Sequence, residues 1–281
     1  MPRTERYNFP RGCDICVISI LEDTEFAHFI VWQYQRLGFN SHNPFLAEAY
    51  EYIQNSGVVI FLRSIASDNN DLFRFLFGRA ISYGNKIIPI CVNEFVFSTH
   101  YEFNEYHWYK FTDFIRLFQK KGDVYIMDTN EGEQIKNHFK EVSNYSPLSE
   151  YDFLAIGLDH LSLSKLAIDN SRIAIFHIEG TLDLNDTTNK LLLHAKRNDK
   201  IVLVCSHDKS TASLIENHSQ GQFLLLEFPM TSFGMMSEKD LERILIKFKQ
   251  IIKDNSNQHF LNRVISILKT FNIFRVFTRM T

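Results

Sequence analysis

A strand–helix–strand pattern that occurs twice, 115 residues apart, constrains this chain more than any other feature. In the first copy Val58-Val59-Ile60-Phe61-Leu62 is a short apolar run rich in β-branched residues, which suits a strand buried on both faces of a parallel sheet. The polar break Ser67-Asp68-Asn69-Asn70 can start a helix, because Asp and Asn side chains accept from its free N–H groups. Leu72, Phe75, Leu76, Arg79 and Ala80 recur at helical spacing, Gly84-Asn85 stops the helix, and Lys86-Ile87-Ile88-Pro89-Ile90 opens a second strand. In the second copy Ser171-Arg172-Ile173-Ala174-Ile175-Phe176 matches the stretch from Ser56 to Phe61, and Ala195 matches Ala80. Lys200-Ile201-Val202-Leu203-Val204-Cys205 matches Lys86 to Cys91 with one residue deleted. Strands alone are compositionally cheap, but strand, alanine, lysine and strand-end cysteine in register point to a repeated α/β fold.

The chain of 281 residues has room for two such domains, and its 45% hydrophobic content supplies two cores. The expected division is residues 1–146, a trimmed second domain at 147–256, and a helical tail at 257–281. A net charge of −3 excludes a nucleic-acid-binding surface over the whole protein. There is no uncharged apolar run of spanning length, and the N-terminal stretch lacks the apolar core of a signal peptide. Four cysteines are too few for a disulfide scaffold, which makes a reducing cytoplasm the expected compartment.

Along the chain, Cys13 to Ile20 reads as the first strand, followed by a helix with Phe26, Phe29, Ile30, Tyr34 and Leu37 on one face. Phe39 to Pro44 is a second strand or turn, and Ala47 to Asn55 a helix. Val124 to Met127 reads as the last strand of the first copy, Glu131 to Val142 as its closing helix, and Ser143 to Ser149 as the linker. Tyr151 to Ile156 starts the second copy, which closes on a helix introduced by Ser237-Glu238-Lys239-Asp240. The aromatic stretch between residues 93 and 118 is expected in core and inter-domain packing, since aromatics dominate buried area. Cys13-x-x-Cys16 has redox and zinc spacing without a second pair, and in a strand its side chains point to opposite faces. His177 and His194 have no companion at ligand spacing. The tail carries Arg263, Lys269, Arg275 and Arg279 at scattered angles among apolar residues, a pattern of burial that suggests packing across the domains or self-association.

Asp14 to Ser19, Glu22-Asp23, Phe26-Ala27 and Leu37-Gly38-Phe39 resemble the opening of a TIR domain, and Ala167 to Ile175 is similar to the entry of that family's third strand. Phe75 to Ala80, Gly84 and Lys86-Ile87-Ile88 also resemble nucleoside deoxyribosyltransferases. The resemblance covers residues 13–143 and, more loosely, 151–254. It implies two flavodoxin-like parallel-sheet domains in tandem, with any ligand at the carboxyl ends of the strands where the order reverses. It also implies a carboxylate on the helix after the third strand, able to hold oxocarbenium charge or ribose hydroxyls. Matching Phe75, Gly78 and Ala80 puts that Glu at Leu76, and at Leu191 in the repeat. The Trp one turn earlier falls on Leu72, and the long charged loop of TIR domains is reduced to Phe39–Phe45.

The expectation is therefore a TIR-like signalling or defence protein that acts by nucleotide recognition or protein assembly without catalysis. Ser19, Glu22, Asp23, Arg63, Ser64 and Asp68 are its candidate ligand-binding residues, with an NAD-derived nucleotide as the ligand class and no metal. The alternative is an NAD⁺ glycohydrolase or nucleoside transferase that uses a relocated carboxylate, Glu94 or Glu105, with Glu102 nearby.

Overall fold

The computed structural model describes residues 13–93, 103, 105–178, 187–206, 223–227 and 236–270, with backbone alone at 206, 223, 225–227 and 255–270. The first sheet holds β1 (Ile15–Ile18), β2 (Ser41–His42), β3 (Val58–Arg63), β4 (Lys86–Cys91) and β5 (Tyr109–Lys110) in the order β2-β1-β3-β4-β5. All four of its neighbouring pairs are parallel, with Cys16 opposite Val59 and Ile60 opposite Ile88. Helices α1 (Thr24–Arg36), α2 (Ala49–Asn55), α3 (Ile65–Asp68), α4 (Asp71–Tyr83) and α5 (Phe111–Gln119) connect or follow these strands.

The second sheet holds β6 (Val124–Ile126), β7 (Pro147–Leu148), β8 (Ile173–Ile178), β9 (Ile201–Ser206) and β10 (Phe223–Glu227) in the order β10-β9-β8-β6-β7. Its helices are α6 (Asn130–Val142), α7 (His160–Asp169), α8 (Thr187–Arg197) and α9 (Glu238–Thr270). Read from the β7 edge, the second sheet repeats the order of the first, with its first strand between its second and third. Both sheets are thus flavodoxin-like, and each has a switch point between its first and third strands. The contacts gather into two compact units, Met1–Tyr125 with Leu148–Ala174 and Leu184–Ile201, and Ile126–Pro147 with Ile175–Asp183 and Val202–Thr281. No helix among the described residues is long and apolar enough to cross a membrane.

The two crossovers anticipated from the sequence form in equivalent places, and their helix stops coincide in detail. Gly84 adopts φ +63° and its N–H bonds Ile81 O at 2.8 Å, while Asn85 N–H reaches back to Ala80 O at 3.1 Å. In the second copy Asp199 adopts φ +52°, Asp199 N–H bonds Lys196 O at 3.1 Å and Lys200 N–H bonds Ala195 O at 3.0 Å. This is the Schellman pattern, and the repeated alanine is its buried acceptor residue. Asn85 then donates its side-chain amide to Ile53 O and Ser56 O at 3.0 and 2.7 Å, binding the end of α2. Lys200 does the same at the end of α7, giving its ammonium to Asp169 O and Ser171 O at 2.8 and 2.7 Å. Lys200 is therefore the counterpart of Asn85 and not of Lys86, and the two copies run in register here without the expected deletion.

Six other expectations are corrected. Val124–Met127 does not close the first sheet, because Val124–Ile126 pairs in the second sheet and Tyr109–Lys110 takes the fifth position of the first. Ile173 N–H to Asp123 O at 3.3 Å and Met127 N–H to Ile175 O at 3.1 Å fix that pairing. The linker Ser143–Ser149 contains β7, and the second half is not trimmed, since α6 and α7 both precede β8. Tyr151–Ile156 forms a 3₁₀ helix over Glu150–Ile156, because Ser149 and Asp152 make a capping box with Ser149 N–H on Asp152 Oδ2 at 2.8 Å. Cys13 and Cys16 belong to one core cluster, since Cys13 lies before β1 where the pleat does not yet apply. The closing helix also runs unbroken through residue 256 to Thr270.

The first sheet is buried on both faces. Cys16, Ile18, Val59 and Phe61 share a cluster with Phe73, Leu76, Phe77 and Ala80 of α4 and with Phe103 and Trp108. The described part of the aromatic stretch supplies that core, with Phe77 and Phe103 ring centroids 5.0 Å apart, edge to face. Phe95, Phe97 and Tyr101 lie outside the described residues.

Candidate functional site

At the first switch point the chain leaves β1 through Ser19 and a 3₁₀ turn, Leu21–Asp23, before α1 begins. It leaves β3 through Ser64, which caps α3 in a capping box with Ser67. Asp23 is 5% exposed and the Ser64 hydroxyl hydrogen-bonds to it. Its Oδ2 has no hydrogen-bond partner among the described residues. Burial pushes the Asp23 carboxyl above its ordinary range; the Ser64 bond pulls it back, and the negative charge of Glu22 pushes it further up. Ser19 is buried, and its hydroxyl accepts from Asn43 Nδ2 at 3.1 Å, while the same amide donates to Val17 O at 2.7 Å. Asn43 thus ties the loop after β2 to the end of β1. Sequence reasoning missed it, because nothing local marks an amide whose partners are 24 and 26 residues away.

Arg63 and Asp68 form a bidentate pair, Nε to Oδ1 and a terminal NH₂ to Oδ2 both at 2.7 Å. The guanidinium is 5.4 Å from the Phe103 ring centroid and 5.1 Å from that of Trp108, and Arg63 is 2% exposed. It anchors the aromatic cluster to α3. Cys91, at the end of β4, lies within the fields of Arg63, Asp68 and Asp23, and burial raises its thiol pKa. Of the six residues expected at this crevice, Asp23 bonds Ser64, Arg63 bonds Asp68, Ser19 bonds Asn43, and Glu22 is exposed on the rim. Leu76 is 1% exposed inside the core and Leu191 is 3% exposed on α8, so neither position presents a polar group. Glu105 is exposed; Glu94 and Glu102 lie outside the described residues.

The second switch point has a different chemistry. His177 on β8 and Glu131 in the first turn of α6 are both buried, with Nδ1 and Oε2 3.5 Å apart. The neighbouring Gly132 makes this possible, since a Cβ there would sit 1.9 Å from Met127 O at the end of β6. His177 therefore has a companion, which sequence spacing hid because Glu131 reads as the first exposed residue of a surface helix. His194 pairs with Asp169 at 2.9 Å. Among the described residues no three His, Cys, Asp or Glu side chains gather to hold a metal ion, and all four cysteines are free and buried. A cavity of about 370 Å³ opens at the opposite, amino-terminal end of the first sheet, with Asp14, Lys86 and Asp159 among its lining.

No protein-family model matches the chain, and no curated protein matches it. Among solved structures, it is similar to the TIR domain of the Toll-related receptor TRR-2 from Hydra magnipapillata, at 21% identity over 36% of this chain and 86% of that one, with a TM-score of 0.31. It is also similar to the C-terminus of Escherichia coli RcsC, which contains a linker region and phosphoreceiver domain, at 9% identity over 89% of this chain and 97% of that one, with a TM-score of 0.33. The strand order, and not either likeness, carries the fold assignment.

Proposed function

We propose that the chain recognises a nucleotide, NAD-derived in the first instance, at the carboxyl ends of β1 and β3. In this reading it serves as a TIR-like signalling or defence protein of the cytoplasm and does not turn its ligand over. The observation that carries the reading is the buried carboxylate of Asp23, held by Ser64 and with Oδ2 unmatched among the described residues. A carboxylate at a switch point is suited to accept from ribose hydroxyls, and burial makes each such bond stronger than it is in water. Arg63 is committed to Asp68 and the Asn43 amide donates to Val17 O and Ser19 Oγ, so phosphate contacts fall to backbone N–H groups and to the Ser19 hydroxyl. The absence of turnover follows from Leu76 and Leu191, because a leucine can neither take a proton nor balance oxocarbenium charge.

Calorimetry with NAD⁺, its phosphate analogue, nucleosides and cyclic nucleotides tests this. Saturable binding to one of them is expected, weakened about 10- to 100-fold by Asp23→Asn, the loss of a charge-assisted hydrogen bond. Binding that is unchanged in D23N overturns the site. Release of nicotinamide or free base, abolished by Glu105→Gln or Glu94→Gln, overturns the non-catalytic reading and supports the relocated carboxylate.

A further inference from the structure

Helix α1 buries Ala27, Ile30, Gln33 and Tyr34 against the protein, and Tyr34 closes that face with its hydroxyl on Ile156 O at 2.5 Å. The opposite face is aromatic. Phe29 is 37% exposed and Trp32 49%, with Phe26 beside them at 38%; an exposed set of this size on one short helix is more than the scattered apolar surface of a monomer. The rings are ordered against one another. Phe29 and Trp32 centroids lie 5.9 Å apart, Phe26 packs edge to face on Phe111 at 4.9 Å, and the Arg36 guanidinium sits 4.7 Å over Trp32.

The charges follow the rings. At about 100° per residue, Glu25, Phe29, Trp32 and Arg36 fall within about 60° of one another, a single narrow stripe along the helix. It runs from an acid through two aromatics to a base. A two-fold axis crossing the helix between Ile30 and Val31 would place Glu25 opposite the partner's Arg36 and Phe29 opposite the partner's Trp32, and each contact would occur twice. We infer that α1 is a homodimerisation surface on which two copies of this chain pack antiparallel along the Glu25–Phe29–Trp32–Arg36 stripe. The parallel alternative sets Glu25 on Glu25 and Arg36 on Arg36, which like-charge repulsion disfavours. Self-complementarity of one patch is what an isologous two-fold contact requires. One helix pair buries less than the roughly 1,200 Å² of small specific interfaces, so the dimer is expected at roughly tens of micromolar.

Sedimentation velocity on the full chain across that concentration range tests the inference. Wild type should shift from monomer to dimer, and Trp32→Ala should weaken association at least about 10-fold. Glu25→Arg and Arg36→Glu alone should each weaken it, the double variant E25R/R36E should restore it, and an equimolar mixture of the two single variants should associate. All these positions are solvent-facing, so an unchanged melting temperature and circular dichroism spectrum show that the variants fold. A wild-type chain that stays monomeric at 200 µM, ~10 times the expected constant, overturns the inference. So does a dimer indifferent to the charge variants. A dimer lost only on deletion of 257–281 assigns association to the tail and also overturns it.

Discussion

Asp23 shows how a single side chain separates stability from function. Its pKa is raised in the folded chain, first by burial, so the folded state keeps the proton to higher pH than the unfolded state does. The favourable contribution is complete below the ordinary carboxyl value of 3.8 and is lost as pH rises through the folded value. Above that value the ionised carboxylate is therefore a burden on the empty protein, tolerable if a ligand donates to it. Asp23→Asn should raise the melting temperature of the ligand-free chain at pH 7 by about 1–3 °C. The gain should shrink as pH falls towards 3.8, read by calorimetric scans of both proteins. An equal gain at every pH would mean that the effect is steric and that ionisation plays no part.

At the scale of elements, the helix stops of α4 and α8 show what a local conformation demands. A non-glycine residue in the left-handed region costs roughly 1–2 kcal/mol, which Gly84 avoids and Asp199 bears. Asp199→Gly should stabilise the chain by up to about 1 kcal/mol and Gly84→Ala should destabilise it by a similar amount, both measured by urea denaturation at constant m. The stop at Gly84 was legible in the sequence because a crossover is built from consecutive residues, with strand composition, cap, helical period and stop all read within about thirty positions; the stop at Asp199 was not, because an aspartate does not mark a left-handed residue as a glycine does. The capping Ser237, which the structure places on Asp240 N–H at 3.2 Å, was legible as well. Val124–Ile126 was misread because the membership of a parallel strand is decided by a partner far along the chain, here β8. The two-residue β5 carries no period at all, and the four apolar positions of Phe153–Ile156 fit a short helix as well as a strand. At the candidate site, Ser19, Asp23 and Ser64 were legible because the ends of the first and third strands can be counted. Asn43 and the Glu131–His177 pair were not, since both depend on approaches between segments that no local pattern records.

For the molecule as a whole, the last helix is the part whose removal is most informative. Residues 257–270 continue α9 without a break, so a deletion of 257–281 cuts a 33-residue helix partway and does not trim a separate appendage. The truncated chain is expected to melt several degrees lower, and light scattering then reports whether assembly also depends on the segment. An unchanged melting temperature and mass would show that residues beyond 256 contribute to neither. The two halves also carry a record of their own history. The turn before the fourth strand has the same length in both copies, and in each a side chain at its second position donates to two carbonyls at the end of an earlier helix, an asparagine amide in one and a lysine ammonium in the other. Kinship between the halves is thus preserved in which bonds are made even where the letters disagree. A chimera in which the five residues Ile81 to Asn85 replace the five from Lys196 to Lys200 is then an exchange of equivalent parts, and the second half should accept it as its own.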